Sequence, residues 1–101
     1  SNKILETIKP KLWLVIDNST SIKFNKKEAL VEKLADKIQL DSDINSKFDL
    51  VVLTFGEQLQ VNKNLTFQEN HTNIYEAISG INELAKKQKS PIILLSDGNQ
   101  T

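Results

Sequence analysis

Three short apolar runs and two longer amphipathic segments set the pattern of the chain. The apolar runs are residues 12–16 (LWLVI), 50–55 (LVVLTF) and 92–95 (IILL). Short continuous runs rich in β-branched and large apolar residues predict strands that are buried on both faces. After the second run, Gly56 and Glu57 permit a turn, and Leu59, Val61 and, less regularly, Leu65 alternate with polar residues. Such alternation predicts a short edge strand in hairpin pairing with the second strand.

The amphipathic segments predict two helices. Residues 26–40 place apolar side chains at helical spacing, at Leu30, Val31, Leu34, Ala35 and Ile38. Asn25 and Glu28 resemble a capping box at the start of this helix, and a polar loop is expected at residues 41–47. The second helix is expected over residues 74–85, with Thr72 or Asn73 at its amino terminus.

The resulting order β-α-β-β-α-β predicts one α/β domain, residues 1–101, with a Rossmann-like, mostly parallel sheet. Right-handed crossovers predict the strand order 3-2-1-4, with strand three antiparallel at the edge and helices on both faces. Ligands of such sheets bind at the carboxyl ends of the strands that flank the point where the order reverses. Strands one and four flank that point here.

Composition excludes several classes of function. The 101 residues contain 13 lysines, 13 acidic residues, no arginine and no cysteine, so the formal charge is zero. Nucleic-acid and membrane-surface binders need a net basic face, which this balance argues against. Without cysteine there is no disulfide or zinc–thiolate site, and no apolar stretch approaches the length of a membrane span.

Polar residues with hard oxygen atoms cluster at the predicted ligand-binding edge. Asp17 and Asp97 follow strands one and four, Ser19 and Ser21 stand in the loop after strand one, and Thr72 opens the second helix. Two carboxylates that converge repel each other unless a cation or a proton lies between them. Such oxygens suit Mg²⁺, with Mn²⁺ or Ca²⁺ as alternatives. Each of these residues taken alone also fits an ordinary turn or helix cap.

In combination the five positions resemble a known site. Asp17-Asn18-Ser19-Thr20-Ser21 is a D-x-S-x-S motif at the end of a buried strand. With Thr72 before the second helix and Asp97-Gly98 after the fourth strand, it is similar to the metal-ion-dependent adhesion site of von Willebrand factor A domains.

The resemblance implies a role for each residue. Ser19 and Ser21 would ligate the metal directly, Thr72 directly or through water, and Asp17 and Asp97 would hold coordinating waters. A carboxylate of a partner protein would complete the coordination shell. The remaining positions near the site, expected to form a rim that contacts the partner, are Asn18, His71, Gly98 and Asn99.

The family fold usually continues past the Asp-Gly loop, so the resemblance implies a partial domain of this kind. Strand four would then be an exposed apolar edge, and we expect a second copy of the chain to cover it. Bacterial proteins with such domains are often envelope-anchored, which suggests an extracytoplasmic position, with the cytoplasm as the alternative.

The function expected from these features is a non-enzymatic, metal-dependent protein-binding module with no catalytic residues. One alternative is a Mg²⁺-dependent phosphoryl-transfer enzyme similar to the haloacid dehalogenases. That chemistry requires a second aspartate two residues after the first, and this chain has Ser19 at that position. The other alternative is a scaffold domain of the same fold that binds no metal.

Overall fold

A computed structural model describes residues 8–61, 64–70 and 74–96, with only the main chain of residue 74. The elements in these residues are β1 (Lys11–Asp17), α1 (Thr20–Phe24), α2 (Glu28–Gln39), α3 (Ser42–Lys47), β2 (Asp49–Phe55), β3 (Leu59–Val61), α4 (Ile74–Gln88) and β4 (Ile92–Leu95). Within the same ranges, no helix is both long and apolar enough to cross a membrane.

Strand β1 lies inside a four-stranded sheet of order β3-β2-β1-β4. It pairs in parallel with β2 on one side and with β4 on the other, so that Leu14 lies between Val52 and Ile93. Strand β3 runs antiparallel to β2. The α/β class, the strand order and the strand directions predicted from the sequence are therefore confirmed.

The side chains of β1 alternate between two cores. Trp13 and Val15 pack with α4, in a cluster that includes Ala77, Ile81 and Ala85. Leu14 and Ile16 pack on the other face, in a cluster that includes Ile22 of α1 and Val31 and Ala35 of α2. Helices thus cover both faces of the sheet. Each fully buried aliphatic side chain contributes about 1.5–3 kcal/mol, so β1 anchors the domain.

The predicted start of the long helix is wrong. Residues 20–24 form a separate short helix, α1, and Asn25 is its carboxyl-terminal cap. Lys26 then takes a left-handed conformation, with φ 58°, and α2 begins at Glu28 after Lys27, without a side-chain capping bond. Asn25 and Glu28 therefore do not form a capping box, because α1 ends on the residue that was expected to begin the next helix.

The prediction of a polar loop at residues 41–47 is also wrong, since Ser42–Lys47 form α3. The Asp41 side chain caps this helix by accepting a hydrogen bond from the Ile44 main-chain N–H at 3.0 Å. None of its residues is buried. An amphipathic pattern could not reveal a helix of this kind, because local capping stabilises it rather than burial of an apolar face.

Strand β4 is one edge of the sheet within the described residues. The Trp13 N–H donates to the Pro91 carbonyl at 3.0 Å. Main-chain direction alternates along a strand, so Ile93 faces β1 while Ile92 and Leu94 direct their N–H and C=O groups to the open edge. An apolar cavity of about 120 Å³ lies beside this edge, lined by Val15, Ile78, Ile81, Asn82, Ile92 and Leu94.

We expect the chain to self-associate through β4, because an exposed apolar edge offers main-chain groups to another strand. Leu94, which is 39% exposed, is the residue to change. Light scattering should give a dimer or larger species for the wild type and a monomer for Leu94→Glu. The control is Val61→Glu on the opposite edge strand, where the side chain is 66% exposed. A monomeric wild-type chain at millimolar concentration would contradict the prediction.

Candidate metal centre

Strand β1 ends in polar residues that are as deeply buried as its apolar ones. Asp17, Asn18 and Ser19 are 3%, 1% and 1% exposed. Burying a polar group is unfavourable unless it finds a hydrogen-bond partner or another favourable electrostatic contact. The contacts of these three residues therefore determine how the end of β1 is built.

Asp17 holds the loop that follows it. One carboxylate oxygen, Oδ1, accepts a hydrogen bond from the Ser19 main-chain N–H at 2.9 Å. The bond folds the chain back over the carboxylate and fixes Ser19 relative to it. The Asn18 N–H donates to the Phe55 carbonyl at 2.8 Å, so the same loop is also tied to the end of β2.

Ser19 occupies the amino-terminal cap position of α1, yet its side chain does not cap the helix. A capping serine normally accepts a main-chain N–H of the first turn with its hydroxyl. No such bond forms here. Instead the Ser19 Oγ lies 2.8 Å from the Ser21 Oγ. The two hydroxyls that the sequence predicts as metal ligands thus lie together, while Thr20 between them is exposed.

The other predicted site residues are Thr72, Asp97, His71, Gly98 and Asn99, and all of them lie outside the described residues. Only Asp17, Ser19 and Ser21 of the predicted metal site are therefore placed. Leu95 of β4 lies next to the Ile16 position of β1 in the parallel register. The carboxyl ends of both strands are thus at the same edge of the sheet.

The candidate site depends on hydroxyl groups more than on charged side chains. In the described parts of the chain, no group of three or more histidine, cysteine, aspartate or glutamate residues is arranged to hold a metal. A cation held by Ser19 and Ser21 would gain two neutral ligands and a buried carboxylate nearby. Mg²⁺ accepts such a set, because it binds few protein groups and keeps several waters.

Asn18 differs from its predicted position at the rim. Its side chain is buried, and its Oδ1 accepts hydrogen bonds from the main-chain N–H groups of Thr66 and Phe67, both at 2.8 Å. Its Nδ2 donates to the Asn64 carbonyl at 3.4 Å. The sequence carries no signal for this contact, because all three partners are main-chain groups that any residues could provide.

The segment of residues 64–70 lies against the loop after β1. The Thr20 N–H donates to the Glu69 carbonyl at 2.9 Å, and the Glu69 N–H donates to the Asn18 carbonyl at 3.3 Å. Phe67 in this segment is 4% exposed and has φ 55°. That left-handed conformation costs about 1–2 kcal/mol for a residue with a side chain. Buried contacts and hydrogen bonds to Asn18 must offset it.

Gly56, interpreted from the sequence as a turn residue, also permits a close approach. A Cβ atom at this position would lie 2.3 Å from the Cβ of Glu69. Any larger residue would push segment 64–70 away from the end of β2. The glycine therefore allows this segment to reach the loop that carries the serines.

We expect Gly56→Ala to destabilise the domain by about 1–3 kcal/mol, the usual result of overpacking a buried position. The matched control is Gly80→Ala, because a Cβ at Gly80 in α4 would meet no atom within 4 Å. That change should stabilise the domain by about 1 kcal/mol, since alanine favours a helix interior. Urea unfolding of the two variants measures the difference. Equal effects of the two substitutions would contradict the proposed packing at Gly56.

The comparisons with known proteins found no relative of this chain. No family model, curated protein or solved structure matches the chain.

Proposed function

We propose that this chain is a non-enzymatic protein-binding module that uses a Mg²⁺ ion at the carboxyl end of β1. Ser19 and Ser21 ligate the ion through their hydroxyls, and Asp17 accepts hydrogen bonds from waters that coordinate it. Thr72 and Asp97 complete the protein's share of the site, as the resemblance to von Willebrand factor A domains implies. A carboxylate of the partner occupies a remaining coordination position.

The separation of the two serine hydroxyls is the observation that carries this proposal. Adjacent ligands of an octahedral Mg²⁺ ion lie about 2.9 Å apart, because the Mg–O distance is about 2.0–2.1 Å. The Ser19 and Ser21 hydroxyls are hydrogen-bonded to each other with their Oγ atoms 2.8 Å apart, so the two oxygens already lie at a separation that this geometry accepts. Both hydroxyls can therefore bind one cation with little movement of the chain.

The charges near the site favour an acidic partner. Hydroxyl ligands are neutral, so they leave most of the charge of the cation uncompensated. A cation in this state attracts a further anionic ligand strongly, because a largely buried site screens charge less than water does. This is why a carboxylate of a partner protein is a better ligand at the remaining position than another water.

A phosphoryl-transfer enzyme is a weaker explanation of the same residues. That chemistry needs a second carboxylate two residues after Asp17 to act as a general acid. Ser19 stands at this position, and its hydroxyl lies against Ser21. A serine hydroxyl is a much weaker acid than a carboxyl group and a poor proton donor to a leaving group, so binding is favoured over catalysis.

Calorimetric titration with Mg²⁺ and with Mn²⁺ tests the proposed site. We expect the wild-type chain to bind one ion, and Asp17→Ala, Asp97→Ala and the double variant Ser19→Ala/Ser21→Ala each to weaken binding by tenfold or more, an effect of about 1.4 kcal/mol. Asp43→Ala is the matched control, because Asp43 is an exposed acidic residue of α3. Its removal tests whether loss of one negative charge alone explains the effect.

Two outcomes would contradict the proposal. Unchanged metal affinity in Asp17→Ala and Asp97→Ala would exclude the assigned site. Hydrolysis of p-nitrophenyl phosphate by the wild type that disappears in Asp17→Asn would support the enzyme instead of the binding module.

A further inference from the structure

Asn18 stands between two proposed site residues and connects them to a distant part of the chain. We propose that Asn18 is a positioning residue of the metal centre, and that its side-chain amide couples cation binding to the conformation of segment 64–70. This inference rests on the proposed function, since it concerns the same cation. It adds a control element that the D-x-S-x-S motif does not include.

The side chain of Asn18 makes contacts that only an amide at this place can make together. Its Oδ1 accepts from the N–H groups of Thr66 and Phe67 at 2.8 Å each, and its Nδ2 donates to the Asn64 carbonyl at 3.4 Å. An apolar side chain would leave both N–H groups without this acceptor, and the one of Phe67 is buried. A carboxylate would accept both bonds but could not donate the third.

The main chain of Asn18 is held just as firmly. Its N–H donates to the Phe55 carbonyl at 2.8 Å, and its C=O accepts from the Glu69 N–H at 3.3 Å. Ser19, the next residue, forms an isolated parallel bridge with Glu69. A displacement of segment 64–70 must therefore move the backbone that carries the Ser19 hydroxyl.

Removal of the Asn18 side-chain amide is expected to change the conformation of segment 64–70. Phe67 is held with φ 55°, a conformation that residues with a side chain rarely adopt. The Asn18 Oδ1 accepts from the N–H of Phe67 and from that of the residue before it. Without these bonds the segment loses the contacts that favour the left-handed conformation, and an extended backbone becomes accessible.

Segment 64–70 closely precedes a further proposed metal ligand in the sequence, so a change in its conformation is expected to affect metal binding. Thr72, the third proposed hydroxyl ligand, follows Asn70 by two residues. Asn18 therefore joins the loop with the first two hydroxyl ligands to the part of the chain that leads to the third. Coupling of this kind is reciprocal, so cation binding must stabilise segment 64–70 as much as the segment stabilises cation binding.

The first test uses the wild-type chain and amide hydrogen exchange by nuclear magnetic resonance. Saturating Mg²⁺ should slow exchange of the Thr66 and Phe67 amides at least tenfold. The amide of Phe48, which donates to the Ile44 carbonyl of α3 at 2.8 Å, is the internal control and should change less. Equal slowing at all three amides, or none at Thr66 and Phe67 in a chain that binds Mg²⁺, would overturn the proposal.

The second test is the variant Asn18→Ala. Residues that orient metal ligands typically contribute about 10- to 100-fold to metal affinity, and we expect a calorimetric loss in this range. Without metal, exchange at Thr66 and Phe67 should become faster. Asn64→Ala is the local control, because Asn64 contributes only its main-chain carbonyl to the contact. Val31→Ala, in the core on α2, controls for general loss of stability.

The outcomes separate this inference from the proposed function. If the wild type binds Mg²⁺ and Asn18→Ala binds it equally well, the coupling is wrong and the metal centre stands. If Val31→Ala weakens binding as much as Asn18→Ala does, the role of Asn18 is only structural. A wild-type chain that binds no cation would overturn both proposals.

Discussion

Strand β1 lies between two parallel neighbours, and this placement is the constraint on which the rest of the structure depends. Leu14 and Val15 have no exposed surface, because β2 and β4 flank them in the sheet and helices cover both faces. Burial continues past the last apolar residue, so Asp17, Asn18 and Ser19 enter the interior with their polar groups. The chain cannot leave those groups without partners, since an unsatisfied buried polar group costs about 1–3 kcal/mol.

The candidate metal centre follows from the way these polar groups are satisfied. The Asp17 carboxylate accepts a hydrogen bond from the Ser19 N–H, and the Asn18 side chain accepts from main-chain N–H groups of residues 64–70. The Ser19 hydroxyl is hydrogen-bonded to that of Ser21. The contacts that compensate burial therefore also orient the hydroxyls. In our account, one cation adds to a loop that folding has already arranged, and the ordering of the ligands does not have to occur at the moment of binding.

The sequence predicts the sheet well because each central strand is a continuous apolar run, and because right-handed crossovers leave few possible orders. It also predicts that Ser19 and Ser21 act together, since both stand at alternate positions after the same strand. It does not predict α1 or α3. Both are short, and α3 is stabilised by local side-chain bonds, such as the one that Asp41 accepts from the N–H of Ile44, rather than by an apolar face. The position of Asn18 was out of reach for a different reason: its partners are the main-chain groups of residues almost fifty positions later, which any sequence could provide.

The central claim is that the Ser19 and Ser21 hydroxyls bind one divalent cation at the carboxyl end of β1. A crystal of the chain grown with Mn²⁺, with diffraction measured near the manganese absorption edge, tests it most directly. We predict one anomalous peak within bonding distance of both Oγ atoms, with the Asp17 carboxylate nearby. Absence of a peak there, or a fully occupied manganese site elsewhere with the two hydroxyls bonded only to each other, would contradict the account.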